Sequence, residues 1–147
     1  MTLTITPVRP EDHADWLALF RAYGDFYKTD TATAEAPVWQ WIADPNEAYW
    51  SDIARDATGK AVGLVQYSLL HRSLSGAQVV YLSDLYTVPE ARGQGVGRAL
   101  IEHVRAFARD RGYASVRWLT AEGNATARKL YDTYAPATGF ILYSVPA

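Results

Sequence analysis

The residues best suited to chemistry form a glycine-rich stretch between an apolar segment and an amphipathic one. It reads Arg92-Gly93-Gln94-Gly95-Val96-Gly97-Arg98. Alternating glycines let successive backbone N–H groups point the same way, and the helix that follows adds unpaired N–H groups and a partial positive charge. Arg92 and Arg98 flank the glycines and suit pairing with phosphate oxygens. The stretch therefore predicts a cradle for a phosphate or pyrophosphate.

Two common phosphate-binding motifs do not match this stretch. A Walker loop needs a lysine and then Ser or Thr after its glycines, and no lysine follows Gly97 directly. The dinucleotide fingerprint needs GxGxxG near the start of a βαβ unit, whereas the spacing here is GxGxG and lies late in the chain. A glycine-capped turn is the structural alternative, but Pro89, Arg92 and the amphipathic helix together favour an anion site.

Asn124 and Tyr131 form a second candidate pair. Asn124 is a good N-cap for a short helix, and Tyr131 follows seven residues later. Seven residues make about two helical turns, so both side chains project to roughly the same face. From spacing alone, a capping asparagine and a half-buried tyrosine are slightly favoured over a pair that takes part in chemistry.

Asp84 is the only acidic residue between Asp56 and Glu90. Strand alternation predicts that it shares a face with apolar neighbours, namely Val80, Leu82, Tyr86 and Val88, unless a bulge breaks the parity. A carboxylate on an apolar face must be paired, or its pKa must rise. Asp84 is therefore either half of a structural pair with an arginine or a group that binds an ammonium and takes its proton through water.

Periodicity predicts the elements that position these residues, in the order βα(α)βββαβαβ. We expect strands at 3–8, 48–55, 61–70, 77–88, 115–120 and 139–145, and helices from Pro10 to Tyr27, over 37–43, over 96–111 and from Asn124 to about Tyr134. No internal repeat or linker interrupts this order. The fold class is thus mixed α/β, with residues 1–147 as a single domain.

Composition excludes several classes of protein. The chain has 147 residues, of which 49% are hydrophobic and 20% charged, which is typical of one globular domain with a real core. The absence of cysteine excludes thiolate nucleophiles, and three scattered histidines predict no metal site. A net charge of −2 argues against nucleic acid as a partner. With no long apolar run and no signal peptide, we expect a cytoplasmic protein without a membrane partner.

Charge and aromatic residues are distributed unevenly along the chain. Residues 1–60 carry ten acidic and five basic side chains, whereas 61–147 carry six acidic and nine basic ones. Nine aromatic residues, three of them tryptophans before residue 42, lie in the first fifty. Core packing and solvated faces explain any one of these residues. Taken together, the uneven charges and aromatic residues predict a front half that faces a cation and a back half that faces an anion.

The glycine stretch resembles motif A of the GNAT superfamily, the acetyl-CoA-dependent N-acetyltransferases. The family pattern Q/R-x-x-G-x-G/A is matched in full by residues 92–97, and the predicted element order agrees with that fold over nearly the whole chain. The resemblance implies a mostly antiparallel mixed sheet flanked by helices. It also implies that backbone amides of residues 92–98 hold the pyrophosphate of coenzyme A.

The sequence from Asn124 to Tyr131 resembles motif B of the same family, N-x-x-A-x-x-L-Y. The resemblance implies that Asn124 contacts the pantetheine arm and that Tyr131 protonates the departing thiolate, for which a phenol is a sensible donor. The strand before motif A maps onto Leu85, Tyr86 and Thr87, whose backbone would pair with the pantetheine. The N–H near Leu85 would stabilise the oxyanion.

The pattern around YLSDLYTVPEARG is closest to the polyamine and small-amine acetyltransferases and to the yeast-type histone or polyamine group. Many of these have Glu-Asp where this chain has Ser83-Asp84, and the glutamate is often the base. Ser83 is thus a departure that puts a direct carboxylate base at that position in doubt. Asp84 then becomes the candidate for binding the acceptor amine or for taking its proton.

The expected activity is acetyl transfer from acetyl-CoA to a primary amine, by direct attack in a ternary complex. We expect the acceptor, a small amine or polyamine, to bind among the aromatic and acidic residues of the front half, with Tyr23, Tyr27, Trp39 and Asp84 as candidates. Two alternatives stay open: a protein or peptide N-acetyltransferase, and a non-catalytic acyl-CoA-binding regulatory domain. The resemblance also leaves a homodimer open.

Overall fold

The computed structural model describes residues 2–45 and 48–147. The elements are β1 (Thr4–Pro7), α1 (His13–Phe26), α2 (Glu35–Ala43), β2 (Tyr49–Arg55), β3 (Ala61–Arg72), β4 (Ala77–Thr87), α3 (Val96–Asp110), β5 (Val116–Arg117) and α4 (Ala125–Tyr131). Single 3-10 turns at Pro10–Asp12 and Pro89–Ala91 lead into α1 and into the glycine stretch. The predicted order is confirmed as far as α4. None of the described helices has the length and apolar character needed to cross a membrane.

The five strands form one sheet in the order β1-β2-β3-β4-β5. The first four are antiparallel neighbours, whereas β5 runs parallel to β4 and pairs with it only at Val80 and Tyr81. Beyond Tyr81, β4 has no strand neighbour on the β5 side in the described ranges. The expected fold, a mostly antiparallel sheet with helices beside it, is confirmed. Beyond Tyr81, β4 and β5 are no longer paired, so the sheet opens along the second part of β4.

Helices cover both faces of the sheet. On one face, Trp16 and Phe20 of α1 pack with Val38 of α2 against a cluster that includes Ile53, Leu64 and Tyr86. On the other face, the apolar stripe of α3 packs against Val65, Tyr67, Val80 and Leu82. Periodicity predicts this stripe at Leu100, Ile101, Val104 and Phe107; the first three are buried, and Phe107 is partly buried against the same cluster. A side chain at Gly63 would place its Cβ 2.9 Å from a methyl carbon of Val96. The start of α3 therefore sits directly on β3, next to the separation of β4 and β5.

A β-bulge corrects the predicted face of Asp84. The pairing of β3 with β4 shifts between Gln66 and Tyr67, so that Gln66 lies opposite Asp84 and Tyr67 lies opposite Leu82. Ser83 is the extra residue, and it reverses the parity of the strand at that point. Val80 and Leu82 consequently face α3, whereas Tyr86 packs on the α1 side. Asp84 lies on the α1 side with Tyr86 and does not share a face with Val80 and Leu82.

The predicted strand at 139–145 is wrong, because residues 135–147 form no strand and make no ladder with the sheet. The strand predicted at 115–120 is reduced to Val116–Arg117. The alternation of apolar residues at 139–145 indicates β propensity. A strand also needs a neighbouring strand to bond to, and within the described chain no strand pairs with this segment.

Candidate active site

The glycine stretch forms an open loop at the N-terminus of α3. Gly93 and Gly95 have φ angles of 75° and 84°, a conformation that side chains disfavour. A Cβ added at either position would meet nothing within 4 Å, so the backbone here is bare and accessible. The first N–H groups of α3 have no partner within the helix and face this loop end. A phosphate can therefore approach the main chain closely.

The two flanking arginines are held in defined positions. Arg92 donates from Nε to the Thr87 carbonyl oxygen at 3.2 Å, and its guanidinium carbon lies 5.3 Å from the centre of the Phe26 ring. Arg98 donates from Nη2 to Thr133 Oγ1 at 2.8 Å, which connects α3 to the segment after α4. Each guanidinium keeps further N–H groups for an anion, because arginine carries five.

Polar backbone groups of β4 point into the gap left by β5. Val88 N–H donates to the Val62 carbonyl oxygen at 3.0 Å, so these two residues are a hydrogen-bonded pair at the end of the antiparallel ladder of β3 and β4. In an antiparallel ladder, residues that bond to the neighbouring strand alternate with residues whose N–H and C=O groups point away from it. The N–H and C=O groups of Leu85 and Thr87 therefore point away from β3. The bond from Arg92 to the Thr87 carbonyl agrees with this direction. Leu85 N–H is thus aimed at the space between the separated strands.

Helix α4 brings the second candidate pair to the same region. The Asn124 side chain caps the helix by accepting from Ala127 N–H at 3.3 Å, as the sequence predicts. Tyr131, two turns later, is half-buried and packs edge-on against Trp118, with 5.4 Å between ring centres. Burial and the nearby Tyr27 raise the pKa of Tyr131 above its usual value. The phenol therefore stays protonated throughout the neutral range and is available as a proton donor.

A cavity of about 550 Å³ opens on the α1 side of the sheet. Its walls come from α1, α2, the segment between them, the start of β2 and the middle of β3 and β4; they include Tyr23, Tyr27, Trp41, Tyr49, Ser68 and Tyr81. Among the described residues that line it, the charged ones are Asp30 and Asp84, both acidic. The cavity is accordingly aromatic and negatively charged, which suits a cation with an apolar body.

Asp84 is held at the floor of this cavity by a chain of hydrogen bonds. Its Oδ2 accepts from Gln66 Nε2 at 2.9 Å and from Ser83 Oγ at 3.2 Å. Gln66 is fully buried, and its Oε1 accepts from Trp16 Nε1 at 2.9 Å and from Ser51 Oγ at 3.1 Å. Two donors on Oε1 leave Nε2 to face Asp84, so the amide has one satisfied orientation. Gln66 thereby fixes the position of the carboxylate.

Tyr23 connects the acidic floor of the cavity to the helix that carries Tyr131. Its pKa is raised, first by burial and then by the charge of Asp84 and a hydrogen bond to it, with smaller contributions from Tyr27 and Tyr131. Burial and the Asp84 charge likewise raise the pKa of Tyr49. Because both phenols stay protonated, each can donate a hydrogen bond to Asp84, and neither adds a second negative charge beside it.

The structure brings three of the four candidate acceptor residues together: Tyr23, Tyr27 and Asp84 line the cavity. Trp39 does not line it. It is partly buried against the core on the α1 side, with its ring centre 4.5 Å from that of His13 and 5.3 Å from that of Trp16. The neighbouring Trp41 occupies the cavity wall instead.

Sequence reasoning missed Gln66, Trp41, Tyr49 and Tyr81 as site residues. The helical pattern could have predicted the position of Trp41, because this residue lies three residues after the buried Val38 and so on the same face of α2. Gln66 carries no such signal, since a glutamine within an apolar strand does not reveal its partner 18 residues away. The described residues contain no group of three or more His, Asp or Glu side chains arranged to hold a metal ion.

Comparison with known proteins identifies the family. Residues 15–134 match the Acetyltransferase (GNAT) family, and the chain belongs to that family of acetyl-CoA-dependent N-acetyltransferases. The D-amino-acid N-acetyltransferase of Saccharomyces cerevisiae is 34% identical over 143 residues, which cover 96% of this chain and 89% of that protein. The aminoglycoside N(6')-acetyltransferase type 1 of Stenotrophomonas maltophilia is 34% identical over 112 residues, covering 74% and 69% of the two chains.

Solved structures support the same fold. AAC(6')-Iy in complex with the bisubstrate analogue CoA-S-monomethyl-acetylneamine superposes with a TM-score of 0.85 over 100% of this chain and 99% of that one, at 19% identity. A ribosomal-protein-alanine N-acetyltransferase from Brucella melitensis gives a TM-score of 0.81 over the full length of both chains, at 23% identity. The predicted membership of the GNAT superfamily is thus confirmed by the family match, and these structures show the same fold.

Proposed function

We propose that this protein acetylates the primary amine of a small molecule that carries no carboxylate beside that amine. The observation that supports this most strongly is the charge of the acceptor cavity, whose charged described residues are Asp30 and Asp84. A carboxylate on the acceptor would meet two like charges and no cation in these walls. The proposal treats residues 1–147 as one catalytic domain.

The glycine loop fits the coenzyme of this family. The bare backbone at Gly93 and Gly95 leaves room where a side chain would block a phosphate, and Arg92 and Arg98 flank it. In the proposal, the N–H groups of residues 92–98 hold the pyrophosphate, the backbone of Leu85, Tyr86 and Thr87 lines the pantetheine, and Asn124 contacts it. Acetyl-CoA supplies an acetyl group activated as a thioester.

Asp84 recognises the acceptor in this proposal. Its carboxylate, held by Gln66 and Ser83, binds the incoming ammonium and takes its proton through water, so that the amine becomes a nucleophile. Tyr23, Tyr49 and Tyr81 surround the cation and supply ring faces and hydroxyl acceptors. Because the chain has no cysteine to carry an acyl group, the amine attacks directly while both substrates are bound.

Leu85 and Tyr131 complete the proposed chemistry. The Leu85 N–H, which points into the gap between β4 and β5, stabilises the negative charge that develops on the carbonyl oxygen. The Tyr131 hydroxyl donates its proton to the leaving sulfur, and its raised pKa keeps that proton in place at neutral pH. Positioning and these two groups supply most of the rate enhancement.

A second acceptor class has one observation in its favour. The S. cerevisiae relative at 34% identity is named for D-amino acids, which carry a carboxylate next to the amine. The charges of the cavity argue against that class here. A cavity of about 550 Å³ also favours a small molecule over the protein or peptide acceptor that the sequence left open.

An acceptor panel with matched pairs tests the proposal. Release of the coenzyme thiol would be followed with phenethylamine against both enantiomers of phenylalanine, and with 1,4-diaminobutane against ornithine. We expect a higher kcat/KM for the carboxylate-free member of each pair. Preference for the amino acids would contradict the proposal, and coenzyme binding without transfer to any acceptor would favour a regulatory domain.

A further inference from the structure

Gly24 lies inside α1, where a glycine weakens a helix compared with an alanine. It is buried, and it is one of the residues that line the acceptor cavity. A Cβ at this position would lie 2.8 Å from the Thr29 carbonyl oxygen and would overlap the Cγ2 methyl group of Thr31. The chain after α1 therefore approaches the helix so closely that no side chain fits at residue 24 unless that chain moves.

The end of α1 turns the chain back over this glycine. Thr29 N–H donates to the Gly24 carbonyl oxygen at 2.8 Å, and Lys28 N–H donates to the Asp25 carbonyl oxygen at 3.0 Å. These are the two bonds of a Schellman motif. Lys28 occupies its left-handed position with φ of 55°, where glycine is the usual residue. The helix thus ends in a sharp reversal, which is kept although a lysine in this conformation is strained.

Residues 29–31, which we name the crossing segment, run over α1 at Gly24 and form part of the cavity wall. The far end of the segment is held by α2. Thr31 Oγ1 donates to Glu35 Oε2 at 2.7 Å, and the Thr31 carbonyl oxygen accepts from Glu35 N–H at 3.0 Å. The crossing segment is therefore fixed at both ends, and its distance from α1 depends on the size of residue 24.

We propose that Gly24 is a specificity-determining residue: by letting the crossing segment lie directly on α1, it sets the width of the acceptor cavity. A side chain at residue 24 pushes the crossing segment off α1, which moves this wall outward, together with Asp30, and admits a bulkier amine. The coenzyme loop at the start of α3 contains none of these residues, so its affinity for acetyl-CoA is unchanged. This inference rests on the proposed acceptor cavity, although the packing at Gly24 can be measured without any acceptor.

The first test measures this packing through the melting temperature. Replacing a glycine inside a helix by alanine normally stabilises the helix, but Gly24→Ala should lower the melting temperature by roughly 3–10 °C, as expected of overpacking in a domain of this size. Thr31→Ser removes the Cγ2 methyl group and keeps the hydroxyl that donates to Glu35.

Thr31→Ser should therefore raise the melting temperature of Gly24→Ala and not that of the wild type. Gly123→Ala is the matched control, because a Cβ there would meet nothing within 4 Å. It should leave the melting temperature nearly unchanged. A melting temperature that rises in Gly24→Ala, or a Thr31→Ser substitution with the same effect in both backgrounds, would overturn the inference.

The second test measures selectivity, at a temperature at which all variants are folded. Phenethylamine and 2,2-diphenylethylamine differ by one ring, and kcat/KM would be measured for both. The ratio of the bulky amine to the slim one should rise at least about fivefold in Gly24→Ala and stay unchanged in Gly123→Ala, with the same KM for acetyl-CoA in all variants.

A role of Gly24 in stability alone would change both rates alike, so an unchanged or lower ratio in Gly24→Ala would overturn the inference. Failure of the wild type to acetylate any amine of the panel would overturn the proposed acceptor, and this inference with it, even where the melting temperatures behave as expected. The two failures are thereby distinguished.

Discussion

In the proposed function, recognition of the acceptor depends on Asp84. Its carboxylate is held by Gln66, which is itself fixed by Trp16 and Ser51 through two further hydrogen bonds. Each member of this chain is satisfied, so the carboxylate is positioned without an ion pair to any of the described residues. A buried network of this kind gives the acceptor ammonium a preformed partner.

Tyr131 and Asp84 should therefore differ in their effect on KM for the amine. Tyr131→Phe removes the proton donor to the leaving sulfur, and kcat should fall by about 10²–10⁴-fold with little change in KM for the amine. Asp84→Asn removes a charged hydrogen-bond partner of the ammonium, and KM for the amine should rise by about 10–100-fold, because such bonds contribute roughly 1.5–3 kcal/mol. It also removes the group that takes the proton of the amine, so kcat should fall as well, by about 10²–10⁴-fold. Steady-state kinetics under saturating acetyl-CoA would measure both.

A third tyrosine provides the matched control for this comparison. Tyr134 lies one turn beyond Tyr131, and its hydroxyl donates to Glu102 at 2.8 Å instead of pointing to the cavity. Tyr134→Phe should leave kcat and KM near wild-type values. A Tyr131→Phe variant with the same near-wild-type turnover would remove Tyr131 as the general acid.

At the scale of elements, an ion pair holds α2 against α1 at the rim of the cavity. Arg21 donates to both oxygens of Glu35 at 2.8 and 2.9 Å, and Thr31 Oγ1 donates to the same carboxylate at 2.7 Å. The bonds from Arg21 and Thr31 lower the pKa of Glu35 from 4.5 to about 2. Thr31 also lines the cavity, so this contact shapes the acceptor site.

The pKa of Glu35 predicts how this contact depends on pH. Because the pKa is lower in the folded state, its stabilisation is complete above about pH 4.5 and is lost as the pH falls towards 2. The melting temperature of Glu35→Gln should lie below that of the wild type at pH 6, and the difference should shrink to nothing near pH 2. Glu122→Gln, in the exposed turn before α4, reports the effect of removing a carboxylate elsewhere. A difference that is constant with pH would contradict the assignment.

The sequence was sufficient for elements whose signal is local. The stripe of α3, the N-cap at Asn124 and the open glycine loop follow from periodicity, capping chemistry and backbone freedom within a few residues. The bulge at Ser83 was not predictable, because it depends on how β4 registers against β3. The strand expected at 139–145 failed for the same kind of reason, since propensity does not supply a neighbouring strand.

At the scale of the whole molecule, we propose that the charge is divided between two substrates. The acidic and aromatic residues of the first half line the acceptor cavity through Tyr23, Tyr27, Asp30 and Tyr49, whereas the basic second half contributes the loop with Arg92 and Arg98. Asp84 is the exception, since it comes from the second half and reaches the cavity because of the bulge. The two regions meet along β4, where Asp84 and Leu85 are adjacent but point to different sides of the strand.

Initial-rate kinetics with both substrates varied test this division most directly. If the coenzyme loop and the acceptor cavity are filled at the same time and the amine attacks directly, double-reciprocal plots against the amine at several acetyl-CoA concentrations should intersect. Coenzyme thiol should not be released in a burst when the amine is omitted. Parallel lines, with a burst of thiol before any amine is added, would show an acylated enzyme and contradict direct transfer between two sites that meet at β4.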